Sequence, residues 1–194
     1  MSERQLETEL KKIRADHIER YEYAAKIVSG NVIDAACGCG YGSAIIAKEC
    51  QNLNHITGFD IDAETIDFAN QHWKHPKNTF IVQDVTQLSL TGKFDWVISF
   101  ETIEHLQDPV PFLKATARLT KKLLCSVPNQ DSIPYSLARF PYHHRHYTAK
   151  EITDLLQDCG FKVTKLQYQY DKKARGFNNA TGRSIILECE SIET

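Results

Sequence analysis

The stretch Val32-Ile-Asp-Ala-Ala-Cys-Gly-Cys-Gly-Tyr-Gly-Ser43 carries an apolar strand straight into a glycine-rich turn, and a helical pattern continues through Lys48. This succession constrains the fold more than any other feature. Strand, turn and helix N-terminus in direct sequence open a βαβ unit and expose backbone N–H groups to a nucleotide-like ligand. Glycine weakens regular structure, so Gly38, Gly40 and Gly42 mark a tight turn or a close ligand approach. A dinucleotide fingerprint needs Gly-x-Gly-x-x-Gly/Ala. Counted from Gly38, the third position is Ser43, and the extra glycine falls one residue early, at Gly42.

Strand-like runs recur at 31–37, 55–60, 78–83, 94–100 and 121–127, with helical patterns at 43–50, 62–74 and 109–119 between most of them. Such alternation predicts a parallel sheet covered on both faces. A helix over 148–159 opens on a Thr148/Glu151 capping box and closes at Gly160. Two last strands, 161–170 and 183–190, flank a polar loop, 171–182, and residues 1–28 read as an amphipathic helical cap. No linker or repeat divides the 194 residues, 42% of them hydrophobic, so one domain over 1–194 is expected. A net charge of −2 argues against nucleic acid as partner. Without a signal-like or membrane-length apolar run, a cytoplasmic protein with no membrane contact is expected. The six cysteines lack zinc-knuckle spacing and read as small buried apolar residues of a reducing compartment.

Acids close three successive strands: Asp34, Asp60 and Asp84. The pattern Asp34-x-Ala-x-Gly-x-Gly-x-Gly42 resembles the first motif of class I S-adenosylmethionine (SAM) methyltransferases, which usually place glycine where this chain has Ala36. The resemblance covers roughly residues 25–190. It implies an α/β, Rossmann-like, doubly wound sheet of seven strands, mostly parallel with an antiparallel closing strand, ordered 3-2-1-4-5-7-6. It also implies SAM as cofactor, cradled by Ala36, Cys37, Gly38, Gly40 and Gly42. Asp60 would then accept from the ribose hydroxyls, and Ile61 would pack on the adenine. Asp84 would take the adenine amino group and the Val85 backbone a ring nitrogen. Asp34 would lie near the methionine end, and Phe100 and Glu101 would border the sulfonium. Asp62, by position, reads as a helix N-cap.

The run from Phe94 to Pro109 resembles the fourth-strand motif of small-molecule methyltransferases. Methyl transfer to a hydroxyl requires a positioned acceptor and removal of its proton. His105 is the candidate base, with Glu101 and His146 facing the reaction. If a helix begins near Glu101, then Glu101, Glu104 and His105 share a face. Completed by a histidine from the run His143 to His146, with His146 as the first choice, they would form a mixed oxygen/nitrogen site for a divalent metal. That set resembles metal-using small-RNA 2′-O-methyltransferases and quinone-biosynthesis O-methyltransferases. Residues 128–147 form a substrate-side insertion, and its end, Pro141 to Thr148, carries three histidines, Arg145 and two tyrosines, suited to an anionic or sugar-like acceptor. The expected activity is methyl transfer to a hydroxyl of a small molecule, such as a sugar or nucleotide-linked intermediate. The alternatives are a metal-dependent RNA 2′-O-methyltransferase and a non-catalytic SAM-binding regulator or partner subunit, which would need no base.

Overall fold

The apolar runs become strands of one sheet, ordered β3-β2-β1-β4-β5-β8-β6-β7, in a computed structural model that describes residues 6–87, 93–170 and 176–192. Residues 1–5 of the expected cap and 171–175 of the expected loop lie outside that description. The strands are β1 (Gly30–Ala35), β2 (Leu53–Asp60), β3 (Asn78–Val82), β4 (Phe94–Phe100), β5 (Thr120–Pro128), β6 (Phe161–Gln169), β7 (Phe177–Asn178) and β8 (Ser184–Ser191). Strands β1 to β5 pair in parallel, and β8 inserts antiparallel between β5 and β6. The expected count of seven is corrected to eight. The additional strand is the two-residue β7, inside the stretch read as a loop, where Asn178 and Phe177 pair with Tyr168 and Gln169. Two residues are too few to show a period in sequence.

The helices are α1 (Ala15–Ile27), α2 (Tyr41–Glu49), α3 (Ala63–His72), α4 (Val110–Leu119) and α5 (Ala149–Asp158). Alternation along the central strands splits the core into two layers. Ile33, Val97, Leu123 and Ile185 face α4 and α5, meeting Phe112, Leu113, Ile152 and Leu156. Their neighbours Val32, Ile98, Leu124 and Ile186 face α1 and α2, meeting Ala24, Ala25, Ile45 and Ile46. Each fully buried Leu, Ile or Phe contributes about 1.5–3 kcal/mol, so these two layers hold the strand ends in fixed register. Asp62 caps α3 by accepting from Thr65 N, and the Thr148/Glu151 capping box opens α5. Among the described residues, no helix is long and apolar enough to cross a membrane.

Candidate active site

The carboxyl ends of β1 to β5 open into one cleft of about 1110 Å³, the expected place for a ligand in a doubly wound sheet. Its floor begins where β1 turns into α2. Ala36 and Gly38 both have positive φ, +57° and +55°, and a Cβ added at Gly38 would meet nothing within 4 Å. The Gly38 backbone is therefore open to the cleft. Gly40, at φ +88°, caps α2 and leaves no room for a side chain, since a Cβ would come within 2.8 Å of the Phe80 ring. The helix starts at Tyr41, two residues before the predicted start, so Gly42 sits within its first turn, packed against the ring of Tyr21.

Asp60 ends β2 beside this turn. Its Oδ2 accepts from Gly38 N and its Oδ1 from Asp62 N, both at 3.0 Å. A carboxylate accepts about four hydrogen bonds, so this one can still take ligand hydroxyls while the backbone fixes its orientation. Asp84, after β3, accepts from Thr86 N and Gln87 Nε2, which folds the 3-10 turn Val85–Gln87 beneath the cleft. Ile61 is 62% exposed at the rim, an apolar surface suited to a flat partner. The residue types and openings fit a SAM-sized ligand along the ends of β1 to β3.

Ala36, Cys37, Gly38, Asp60, Ile61, Asp84 and Val85 line the cleft, as do Phe100, Glu101, Glu104 and His105. Asp34, Gly40, Gly42 and His146 are not on its wall. Asp34 is fully buried beneath the turn, where Ser43 Oγ (2.6 Å) and Tyr21 Oη (3.2 Å) donate to it. Burial outweighs those bonds and pushes its pKa up to about 7.

Beyond β4, the expected helix from Glu101 is replaced by a 3-10 turn, Ile103–His105. Glu101 has φ +50° and its Oε1 accepts from Ser126 Oγ at 2.8 Å. A non-glycine residue held in this region is strained, and such strain gathers at functional sites. The left-handed residue breaks the i, i+3, i+4 spacing, so Glu101 does not join Glu104 and His105. Of the candidate set, Glu104 and His105 come together with His143, the first histidine of the loop: ligand atoms of these three lie within 4.8 Å of one another. His143 reaches them because the insertion is tied down along its length. Tyr147 bridges to Asn129, His144 N donates to Glu104 O, and Tyr135 Oη donates to His143 O.

Five contributors went unseen in the sequence. Arg14, His17 and Arg20 bring the α1 side into the cleft, and Arg139 and Arg183 line it as well. Arg20 is 2% exposed, with Nη1 donating to Gln169 Oε1 at 2.7 Å. A sequence signal existed for Arg20 alone: a cation four residues before Ala24, on the apolar stripe of an amphipathic helix.

A Rossmann-like sheet with a glycine turn, acids after three strands and a cleft along their ends defines the class I methyltransferase architecture. The methyltransferase-domain family model matches residues 3–166, and the chain belongs to that family of SAM-dependent enzymes. A protein of Mycobacterium tuberculosis, named as a probable S-adenosylmethionine-dependent methyltransferase, is 30% identical over 84% of this chain and 60% of its own length. The ubiquinone biosynthesis O-methyltransferase of Xanthomonas oryzae is 29% identical over 66% of this chain and 54% of its own. The chain thus spans a little over half the length of these relatives. Among solved structures, the magnesium protoporphyrin IX methyltransferase of Synechocystis with bound S-adenosylhomocysteine (SAH) shares the fold. It has a TM-score of 0.64 and 24% identity, covering 91% of this chain and 80% of that one. A chain from the Haloferax volcanii complex of the Trm112 methyltransferase activator with a methyltransferase has a TM-score of 0.79 at 17% identity, covering 93% and 92%.

Proposed function

We propose that this chain binds SAM and transfers its methyl group to a hydroxyl of a small acceptor that carries an acidic group. One observation carries the reading: a single cleft joins the open glycine turn and Asp60 to the Glu104–His105–His143 group. Its volume of about 1110 Å³ exceeds what one drug-sized ligand fills, roughly 300–1,000 Å³. It therefore suits a cofactor and an acceptor side by side.

SAM supplies a methyl group on a sulfonium, ready for in-line displacement. The chain's residues do the rest. Asp60 accepts from the ribose hydroxyls, Ile61 covers the adenine, and Arg14, His17 and Arg20 face the methionine carboxylate. His105 Nδ1 lies 2.9 Å from the Tyr142 carbonyl, which only accepts, so that nitrogen holds the proton. Nε2 is then the atom that takes the acceptor's hydroxyl proton. Arg139 and Arg183 pair with the acceptor's acidic group. A small acceptor suits the chain better than RNA, because a net charge of −2 supplies no overall basic field. The six cysteines are free and buried, which accords with a reducing compartment such as the cytoplasm.

The Glu104–His105–His143 group favours a second reading, in which it holds a divalent metal. One carboxylate with two imidazoles suits a first-row transition ion. His105 is then a ligand and not the base. Turnover of phosphorylated or carboxylated hydroxy compounds, followed as SAH release, tests both readings. Activity on these but not on neutral analogues is expected, and lost activity after exhaustive chelation selects the metal. Calorimetry that finds no SAH binding, or undiminished binding by Asp60→Ala, overturns the proposal.

A further inference from the structure

Gln169 is buried at the end of β6, and its backbone is held on both sides, opposite Ser184 of β8 and Phe177 of β7. From this fixed point its side chain reaches α1. Oε1 accepts from Arg20 Nη1 at 2.7 Å, while Nε2 donates to Asp16 O at 2.9 Å and to Glu19 Oε2 at 2.7 Å. The chemistry of the partners leaves the amide one orientation. A guanidinium only donates, and a carbonyl and a carboxylate only accept, so the amide oxygen faces Arg20 and the amide nitrogen faces the other two.

Arg20 lines the cleft, whereas Gln169 stands behind its wall. The carboxylates beside Arg20 on α1 are engaged elsewhere. Asp16 takes Arg14 with both oxygens, at 3.1 and 2.5 Å, and lies 3.8 Å from Arg20 Nη1. Glu19 accepts from Gln169 Nε2 with one oxygen and from Gly176 N with the other. Both contacts of Arg20 are thus at Nη1, and its buried Nε has no partner among the described residues. A buried guanidinium calls for a strong acceptor, and the cleft is the side from which a ligand can bring one.

We infer that Gln169 is a positioning residue for the cofactor's carboxylate: its amide stands between Glu19 and Arg20 and holds the guanidinium at the cleft without neutralising it. This rests on the proposed SAM binding. A carboxylate in place of the amide would orient Arg20 equally well but would consume its charge. The neutral amide oxygen fixes the geometry and leaves the positive charge for a charge-assisted, two-pronged pair with the ligand. The amide nitrogen, by engaging Glu19, also keeps that carboxylate from Arg20. The short β7 has a part in this, since it closes the open edge of β6 opposite Gln169.

The test is calorimetric titration of the full chain with two probes: SAH, and decarboxylated SAH, which keeps the adenosine, thioether and amine and lacks only the carboxylate. The wild type is expected to prefer SAH by about ten-fold or more, the worth of one charge-assisted pair. Arg20→Met removes the preference. In Gln169→Met, which has a similar length and makes no hydrogen bond, the preference falls to about three-fold or less, while affinity for the decarboxylated probe stays within about two-fold of wild type. Added to Arg20→Met, Gln169→Met changes the preference no further. A merely structural role, seating α1, weakens both probes alike; an unchanged preference in Gln169→Met therefore overturns the inference. Should that variant not fold, the isosteric Gln169→Glu carries the test: its carboxylate neutralises Arg20 and the preference falls, and an unchanged preference overturns the inference in the same way. A wild type that binds both probes equally also overturns it and leaves SAM binding standing, whereas a wild type that binds neither overturns the methyltransferase reading itself.

Discussion

Ala36 holds a left-handed conformation at φ +57° although it carries a Cβ. For an L-residue this costs about 1–2 kcal/mol, whereas glycine avoids it and gives up about 0.4–1 kcal/mol in unfolded-chain entropy. Ala36→Gly is therefore expected to stabilise the protein by up to about 1 kcal/mol, read from urea unfolding; a loss of stability contradicts the strain. Asp34, two residues earlier, makes a prediction about pH. Its folded pKa of about 7 lies above the ordinary aspartate value of 3.8, so between those values the folded state binds the extra proton. Stability is then full below the unfolded pKa and falls as pH rises to about 7, by on the order of 4 kcal/mol at 1.36 kcal/mol per unit. Without cofactor, wild-type stability should decline from pH 4 to pH 7 more steeply than that of Asp34→Asn. Parallel pH profiles for the two proteins would remove the burial argument.

Among the elements, α1 departs furthest from what its sequence shows. Its amphipathic pattern announces a helix but not that the helix walls the cleft. Two contacts do that, and both depend on residues distant in sequence. Gly42, in the first turn of α2, lets the Tyr21 ring approach, since a Cβ there would come within 2.1 Å of the ring. Gly42→Ala should lower the unfolding free energy by about 1–3 kcal/mol through overpacking, outweighing the gain of about 1 kcal/mol in helix propensity. An equal or higher melting temperature would show that α1 is not seated there. The second contact is Gln169, at the end of β6, which accepts from Arg20 and donates to Asp16 O and to Glu19 Oε2. No local pattern links residues 149 apart in sequence. The longer strands, by contrast, were legible because the central ones are continuous apolar runs buried on both faces, and the helix starts at Asp62 and Thr148 because caps are local chemistry. Less legible were Glu101, whose left-handed backbone interrupts the helical spacing, and the histidine loop, where tertiary ties bring His143 beside Glu104 and His105.

At the scale of the whole molecule, the sheet divides the cleft into two ends that can be tested separately. The proposed cofactor end rests on β1, β2 and β3, whose register is locked by the core. The proposed acceptor end rests on the 128–147 insertion and on Arg183, the residue before β8. A ligand that binds only the folded state stabilises it by RT ln(1 + [L]/Kd), about 2.7 kcal/mol at a hundred-fold excess over Kd. For a domain of this size that corresponds to a rise in melting temperature of roughly 5–10 °C. SAH at such an excess should produce that rise in the wild type. In Asp60→Ala the rise should largely disappear at the same SAH concentration, since the carboxylate that accepts from Gly38 N and would accept from the ribose is gone. In Arg183→Gln the rise should persist, because that side chain lies at the other end, while KM for an acidic acceptor increases about ten-fold or more, the loss of a charge-assisted pair of 1.5–3 kcal/mol. If Arg183→Gln loses the SAH response along with Asp60→Ala, the two ends are not separate, and the assignment of cofactor to β1–β3 and acceptor to the insertion fails.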